Sequence, residues 1–212
     1  MPVTNIGMIQ RKGVIFVVSA PSGAGKTTLC NSLRQRQDLV YSISCTTRPP
    51  RGTEVHGEDY YFLAQDDFEG KIRRGEFLEY AQVHTTHYYG TLKQTVFDIL
   101  DQGKDVLLDI DVQGAAKIRA STDPRIREAF VDIFMMPPTM AELERRLRKR
   151  KTETDEQIAL RLDTARREIP QCRNYQYIIL SESIEEDLDK FRAIMRAERY
   201  KSHRIIFDEK NI

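Results

Sequence analysis

The stretch Ala20-Pro21-Ser22-Gly23-Ala24-Gly25-Lys26-Thr27-Thr28 gathers small residues, two glycines, a lysine and adjacent hydroxyls into one short segment. Glycines let a backbone close tightly enough for several N–H groups to face one anion. A helix starting directly behind them adds the positive end of its dipole. Lys26 is a mobile point charge suited to the outer phosphates of a polyphosphate, and the Thr27 hydroxyl suits Mg²⁺. The flanking sequence supplies the required elements. Val14-Ile15-Phe16-Val17-Val18 reads as a buried strand, and Leu29 and Leu33 behind the loop lie at helical spacing. Strand, small-residue loop and helix in that order build a phosphate cradle, and a nucleoside triphosphate is the implied ligand. The strict pattern opens with glycine where Ala20 stands, which alanine can fill while its φ stays negative. A plain flexible turn would explain the loop but not both of its flanks.

Other groups with chemical potential lie further along. Arg48 and Arg51 stand three apart in the turn-rich Thr46-Thr47-Arg48-Pro49-Pro50-Arg51-Gly52, and two guanidinium forks can clamp one phosphate. A solvated loop is the plain alternative. It weakens beside Tyr60 and His87-Tyr88-Tyr89-Gly90-Thr91, because phenol hydroxyls are further donors to phosphate. The apolar run Asp105-Val106-Leu107-Leu108-Asp109-Ile110-Asp111 closes on two carboxylates, as a buried parallel strand with functional groups at its C-terminal edge would. Capping of the following loop is the alternative for Asp109 and Asp111. In Arg145-Arg146-Leu147-Arg148-Lys149-Arg150-Lys151, Arg146 and Arg150 are four apart and share one helix face, although such runs are most often solvated.

These residues need a frame to hold them. Strands are expected at Val14–Val18, Asp105–Asp111, Val131–Met136 and Tyr177–Leu180. Helices are expected after the phosphate loop, from Leu92 to Gln102 with Gly103 closing it, twice within Glu142–Arg167 around a break at Thr152-Glu153-Thr154, and from Ile184 to Tyr200. Alternating strands and helices predict a three-layer α/β core with a mostly parallel sheet. Residues 41–89 differ in texture: polar, aromatic and turn-rich, with short strands around a helix near Gln65–Arg74, they read as an inserted lobe.

Composition narrows the class. The 212 residues can bury a sizeable core, and 33 basic against 32 acidic residues give no general affinity for nucleic acid or anionic membranes. No apolar run approaches a membrane span, and the first twelve residues contain no apolar core of a secretory signal. Three widely spaced cysteines point to a reducing cytoplasm rather than a disulfide framework, and four histidines show no metal spacing with them.

The phosphate loop is one of several motifs that occur in order from about Val14 onward. The others are Ser42-Ile43-Ser44-Cys45-Thr46-Thr47-Arg48 with Arg51, Gly57-Glu58-Asp59-Tyr60, Glu76-Phe77-Leu78-Glu79, Tyr88-Tyr89-Gly90-Thr91, Leu108-Asp109-Ile110-Asp111-Val112-Gln113-Gly114 and Pro137-Pro138-Thr139. Together with the later Arg-rich segment, this series resembles guanylate kinase of the bacterial type, a P-loop family in which Ala at the position of Ala20 is common. The resemblance implies ATP-dependent phosphorylation of GMP, and of dGMP, with Mg²⁺. It implies a P-loop kinase core over 13–40, 92–138 and 168–198, a GMP-binding lobe over 41–91 and a mobile lid over 139–167. Residues 1–12 and 199–212 would then be extension and tail.

Residue by residue, the resemblance gives Arg48, Arg51, Tyr60 and Tyr89 to the GMP phosphate and Ser44, Glu79 and Thr91 to the guanine. Asp109 is similar to the family's aspartate near the guanine amino group. Asp111 falls nearer phosphates and metal, where its role stays open. Arg146, Arg150 and Arg161 fall in the lid as charge neutralisers of the transferring group, with Lys26. Two departures stand out. Lys149 and Lys151 flank Arg150 where relatives have glycines, and Ser181-Glu182-Ser183 replaces an Asn-Asp-Asp run near the adenine. A non-catalytic guanylate-kinase-like module that binds phosphorylated proteins, and a kinase for another phosphorylated acceptor, are the alternatives. The intact loop and lid arginines argue against the first, and Glu79 with Ser44 and Thr91 against the second.

Overall fold

The computed structural model describes residues 9–83, 87–149 and 153–207. In chain order the first part contains β1 (Ile9–Arg11), β2 (Ile15–Ser19), α1 (Lys26–Leu33), β3 (Leu39–Tyr41), β4 (Cys45–Thr46), β5 (Tyr61–Phe62) and α2 (Gln65–Arg73). The middle contains β6 (Phe77–Val83), β7 (His87–Leu92), α3 (Lys93–Asp101), β8 (Asp105–Asp109), α4 (Val112–Arg119), α5 (Pro124–Ala129) and β9 (Phe130–Met136). The last part contains α6 (Met140–Lys149), α7 (Asp155–Glu168), β10 (Tyr177–Leu180), α8 (Ile184–Arg199) and β11 (Ile205–Phe207).

The apolar β-branched runs form the centre. A parallel sheet in the order β10-β9-β2-β8-β3 places β2 between β9 and β8, and every residue of β2 is buried. One face packs Phe16 and Val18 with Leu29 and Leu33 of α1 and with Phe191 and Met195 of α8. The other packs Ile15 and Val17 with Val96 of α3, Ile118 of α4 and Ile126 of α5. Full burial of one such aliphatic side chain contributes about 1.5–3 kcal/mol, so both faces are strongly driven to close. The result is the three-layer α/β core with a parallel sheet.

Residues 41–92 leave this core to build a second sheet, ordered β5-β4-β7-β6, on which α2 packs through Phe68 against Phe77 and Tyr88. The helical pair α6–α7 has its own small core of Leu143, Leu147, Ile158 and Leu162. Thr154 starts α7 with a capping box: its side chain accepts from Gln157 N, and Gln157 caps the Thr154 amide.

One expectation needs correction, and two features go beyond what the sequence suggested. β8 ends at Asp109, not Asp111, because Asp111 leaves the sheet to cap α4. Helices α4 and α5, 8 and 6 residues long, had too few turns to announce themselves by periodicity. The segment before residue 13 is tied down in part: β1 pairs antiparallel with β11, and Arg11 joins Arg199 on the buried Asp105. Removing one partner of such a buried pair typically costs about 3–5 kcal/mol.

Candidate active site

The loop from Ala20 to Gly25 connects the C-terminal end of β2 to α1. Gly23 and Gly25 adopt φ of 92° and 103°, a region L side chains rarely occupy, so glycine is required at both. Lys26 opens α1 and lies 2.5 Å from Asp109 Oδ1 at the end of β8, also donating to the Ile110 carbonyl at 3.2 Å. Burial pulls the Lys26 ammonium down, but Asp109 outweighs it and holds the group above its ordinary value. Asp109 therefore stands against the phosphate-loop lysine. Asp111 does cap a helix: its Oδ1 accepts from the Gly114 amide at 2.7 Å. Thr27 and Thr28 are exposed in the first turn of α1.

In the lobe, Arg48, Tyr60 and Tyr89 come together. Tyr60 and Tyr89 meet edge to face at 5.9 Å, and the Arg48 guanidinium stands 5.0 Å from the Tyr60 ring. Arg48 is only 5% exposed, and four of its five N–H donors have partners within the protein. Nη1 and Nη2 take the two oxygens of Glu54 at 2.6 and 2.7 Å, Nη1 also reaches the Pro49 carbonyl, and Nε donates to the Tyr89 hydroxyl at 3.0 Å. Having accepted from Arg48, that hydroxyl keeps its own proton for a further acceptor. Glu54 also accepts from the Arg51 amide at 2.8 Å, which shapes the turn that presents the exposed Arg51 side chain. The Arg48 pair holds the Glu54 carboxyl down at about 2. Sequence reasoning missed Glu54. Its position three residues after Arg51 in a loop was the one available signal, and charge in a loop is too common to stand out.

Glu79 and Thr91 face each other across β6 and β7, and the Thr91 hydroxyl donates to Glu79 Oε1 at 2.9 Å. Glu79 is 6% exposed, so burial pushes its carboxyl up to about 7, with the nearby Asp111 charge adding and Thr91 and Lys117 opposing. Ser44 lies half-buried just before β4.

From the helical pair, Arg146 and Arg161 reach back to the phosphate loop. Arg146 pairs with Glu142 at 2.7 Å and donates to Ser181 Oγ at 2.8 Å, to the Ser181 carbonyl at 3.0 Å and to the Ala24 carbonyl at 3.3 Å. Ser181 in turn donates to Asp187 at 2.9 Å. Arg161 donates to the Ser22 hydroxyl and pairs with Glu153 at 2.5 Å. Arg150 and Lys151 lie outside the described residues. Between the loop, α6 and Glu182 opens a cleft of about 510 Å³. Among the described residues no group of three or more His, Cys, Asp or Glu side chains could hold a metal ion, and no helix is long and apolar enough to cross a membrane.

A parallel sheet that presents a glycine-bent loop and a lysine at the C-terminal end of its central strand, under a helical pair rich in arginine, defines a P-loop phosphotransferase of the nucleotide-kinase class. Within that class the chain belongs to the guanylate kinase family. The family's model matches residues 12–198. The chain is 45% identical over 199 residues to the guanylate kinase of Sphingopyxis alaskensis, covering 93% of this chain and 88% of that one. It is 41% identical over 196 residues to that of Clostridium tetani, covering 92% and 91%. Among solved structures it is similar to guanylate kinase from Anaplasma phagocytophilum, with a TM-score of 0.75, 38% identity, and coverage of 94% and 93%.

Proposed function

We propose that this protein transfers the γ-phosphoryl group of ATP to GMP, with dGMP as a second acceptor, giving ADP and GDP. Support comes above all from one juxtaposition: the lobe combines an arginine–tyrosine cluster suited to a phosphate with a buried carboxylate suited to a guanine edge. An oxygen of the GMP phosphate attacks the γ-phosphorus in line as the bond to the β,γ-bridging oxygen breaks and ADP departs. No covalent enzyme intermediate is needed, so the protein contributes alignment and positive charge.

In this reading the loop amides from Ala20 to Thr28 cradle the triphosphate, and Lys26 exchanges its Asp109 partner for the outer phosphate oxygens. The donors available to a metal are oxygens: the Thr27 hydroxyl would hold a Mg²⁺, and the role of Asp111, one oxygen of which caps α4, stays open between cap and second ligand. A Mg²⁺ held there would supply positive charge to the triphosphate. Arg48, Arg51 and the Tyr60 and Tyr89 hydroxyls hold the acceptor phosphate, with Arg48 also orienting Tyr89. Glu79, with Thr91 and Ser44, reads the guanine: N1–H and the exocyclic amino group are adjacent donors that one carboxylate accepts together. The lid arginines Arg146, Arg150 and Arg161 act on the transferring group, and lid closure excludes the water that would hydrolyse ATP. Asp109 serves the lysine and stands near the guanine amino group.

A coupled assay of ADP release with ATP and GMP, dGMP, AMP or UMP tests this. Turnover confined to the guanine acceptors is expected, and comparable turnover with AMP or UMP would overturn the assignment.

A further inference from the structure

Gly114 sits in the first turn of α4, where its amide is the donor that Asp111 accepts. Unlike Gly23 and Gly25, it does not adopt a positive φ. Its backbone is helical, and alanine forms a helix better than glycine. Nothing in the local conformation therefore calls for glycine. The reason lies across the interface with β6. A Cβ on Gly114 would stand 2.9 Å from Glu79 Oε2, 3.3 Å from Glu79 Cδ and 3.4 Å from Asp111 Oδ1. The closest of these distances is shorter than real carbon contacts allow. What would have to yield is no backbone or ring but the tip of the Glu79 side chain.

That tip has little freedom. Thr91 holds Oε1 at 2.9 Å while Gly114 faces Oε2, and the side chain is buried. The carboxylate is thus set between a hydroxyl on β7 and a bare Cα on α4. A methyl group at position 114 would displace it away from α4 while leaving helix and sheet intact.

We propose that Gly114 is a specificity-determining positioning residue, whose missing side chain fixes how far back the Glu79 carboxylate sits and so how it meets the paired donors of a guanine. This rests on the reading of Glu79 as the group that recognises the base. Accepting N1–H and the 2-amino group together requires both carboxylate oxygens in one plane with the ring edge. A displaced carboxylate keeps one of these bonds well made and strains the other. Position 114 therefore acts on base discrimination through Glu79 and not on the phosphate sites.

The test compares Gly114→Ala and Glu79→Gln with the parent, at saturating ATP, using GMP and inosine monophosphate, which keeps N1–H but lacks the amino group. For Gly114→Ala the KM for GMP should rise about tenfold, the loss of one good hydrogen bond to a charged group, with the ATP KM and Tm unchanged. The ratio of kcat/KM for GMP over inosine monophosphate should fall toward that of Glu79→Gln. This ratio is internal to one preparation, so it still reports base discrimination if part of the variant fails to fold. Adding Glu79→Asp, which shortens the side chain and clears the methyl group, should restore part of the ratio. A parental ratio in Gly114→Ala beside a collapsed ratio in Glu79→Gln would overturn the spacer role alone. Parental ratios in both variants would overturn the reading of Glu79 and the spacer role with it.

Discussion

The lobe between residues 41 and 92 and the helical pair α6–α7 both bring arginines to the site, but they hold them differently. In the lobe, Arg48 is buried and bound through Nε, Nη1 and Nη2 to groups of its own sheet and loop. In the helical pair, Arg146 and Arg161 cross to the core and bond to Ser181, Ala24 and Ser22, while Arg145 and Arg148 make exposed pairs along α6. Exposed pairs of that kind are worth about 0–1 kcal/mol and exchange readily. The lobe is built to arrive at its ligand in final geometry. The helical pair meets the core through a handful of polar bonds that a ligand can replace, and through Leu143 and Leu147 packed beside Gly23. In the proposed function the lobe would hold the acceptor and the helical pair would close over the donor, so that the base is read before water is excluded.

Lys26 belongs to neither region and sets the scale for both. Lys26→Ala should lower kcat by about 10²–10³-fold or more, as expected for removing a preorganised charge from developing oxyanions, with circular dichroism and Tm near the parent's. Near-normal turnover would remove the phosphate loop from the mechanism.

Arg51→Ala sharpens the lobe side. The KM for GMP should rise by the equivalent of about 1.5–3 kcal/mol while that for ATP holds, since in the proposed function this side chain serves only the acceptor phosphate. Equal changes for both substrates would mean that the lobe and the triphosphate site are not independent.

Arg161→Ala sharpens the other side. Steady-state kinetics should show a kcat loss of about 1.5–3 kcal/mol, while calorimetric affinity for GMP stays at the parental value. A GMP-binding defect with intact kcat would reverse the division of labour drawn here.

The smallest expected effect concerns Glu79 and pH. Its folded value of about 7 lies above the ordinary 4.5, because burial disfavours the charged form; the groups facing it are Asp111, Lys117 and Thr91. The sign follows from linkage. The native state binds this proton more tightly than the unfolded state, so the carboxyl's contribution to stability is full below about 4.5 and is lost as pH rises toward 7. Guanine recognition runs the opposite way, because the ionised carboxylate is the acceptor. Between pH 6 and 8 the ionised fraction rises about tenfold, and kcat/KM for GMP should rise by about that factor. Glu79→Gln should flatten this difference, leaving only the titration of GMP itself. An identical profile in the variant would sever the link.

Much of this site was legible in the residues. Gly23, Gly25 and Lys26 announced the loop because only glycine takes the required φ and only a cation suits its end. Arg48 with Arg51, and Glu79 with Thr91, were legible as members of a motif series but not as geometry. Nothing in the chain says that Arg48 is paired with both oxygens of Glu54 and donates to Tyr89. Asp111 was open between ligand and cap, and the structure uses one oxygen as a cap. Lys149 closes α6, whereas Arg150 and Lys151 lie outside the described residues.

What the sequence determined by itself was local: apolar runs of strand length, turn chemistry at Gly23, Gly25 and Gly103, a helix break at Thr152-Glu153-Thr154, and a run of motifs whose order names a family. Those features depend on backbone sterics and short-range periodicity, which neighbours in the chain are enough to set. Only the tertiary structure decided that Lys26 meets Asp109, that Asp105 gathers Arg11 and Arg199, and that a glycine on α4 leaves room for a carboxylate on β6. Such pairings join residues tens of positions apart. Their energies depend on burial and sub-ångström spacing, quantities that come into being when the layers close.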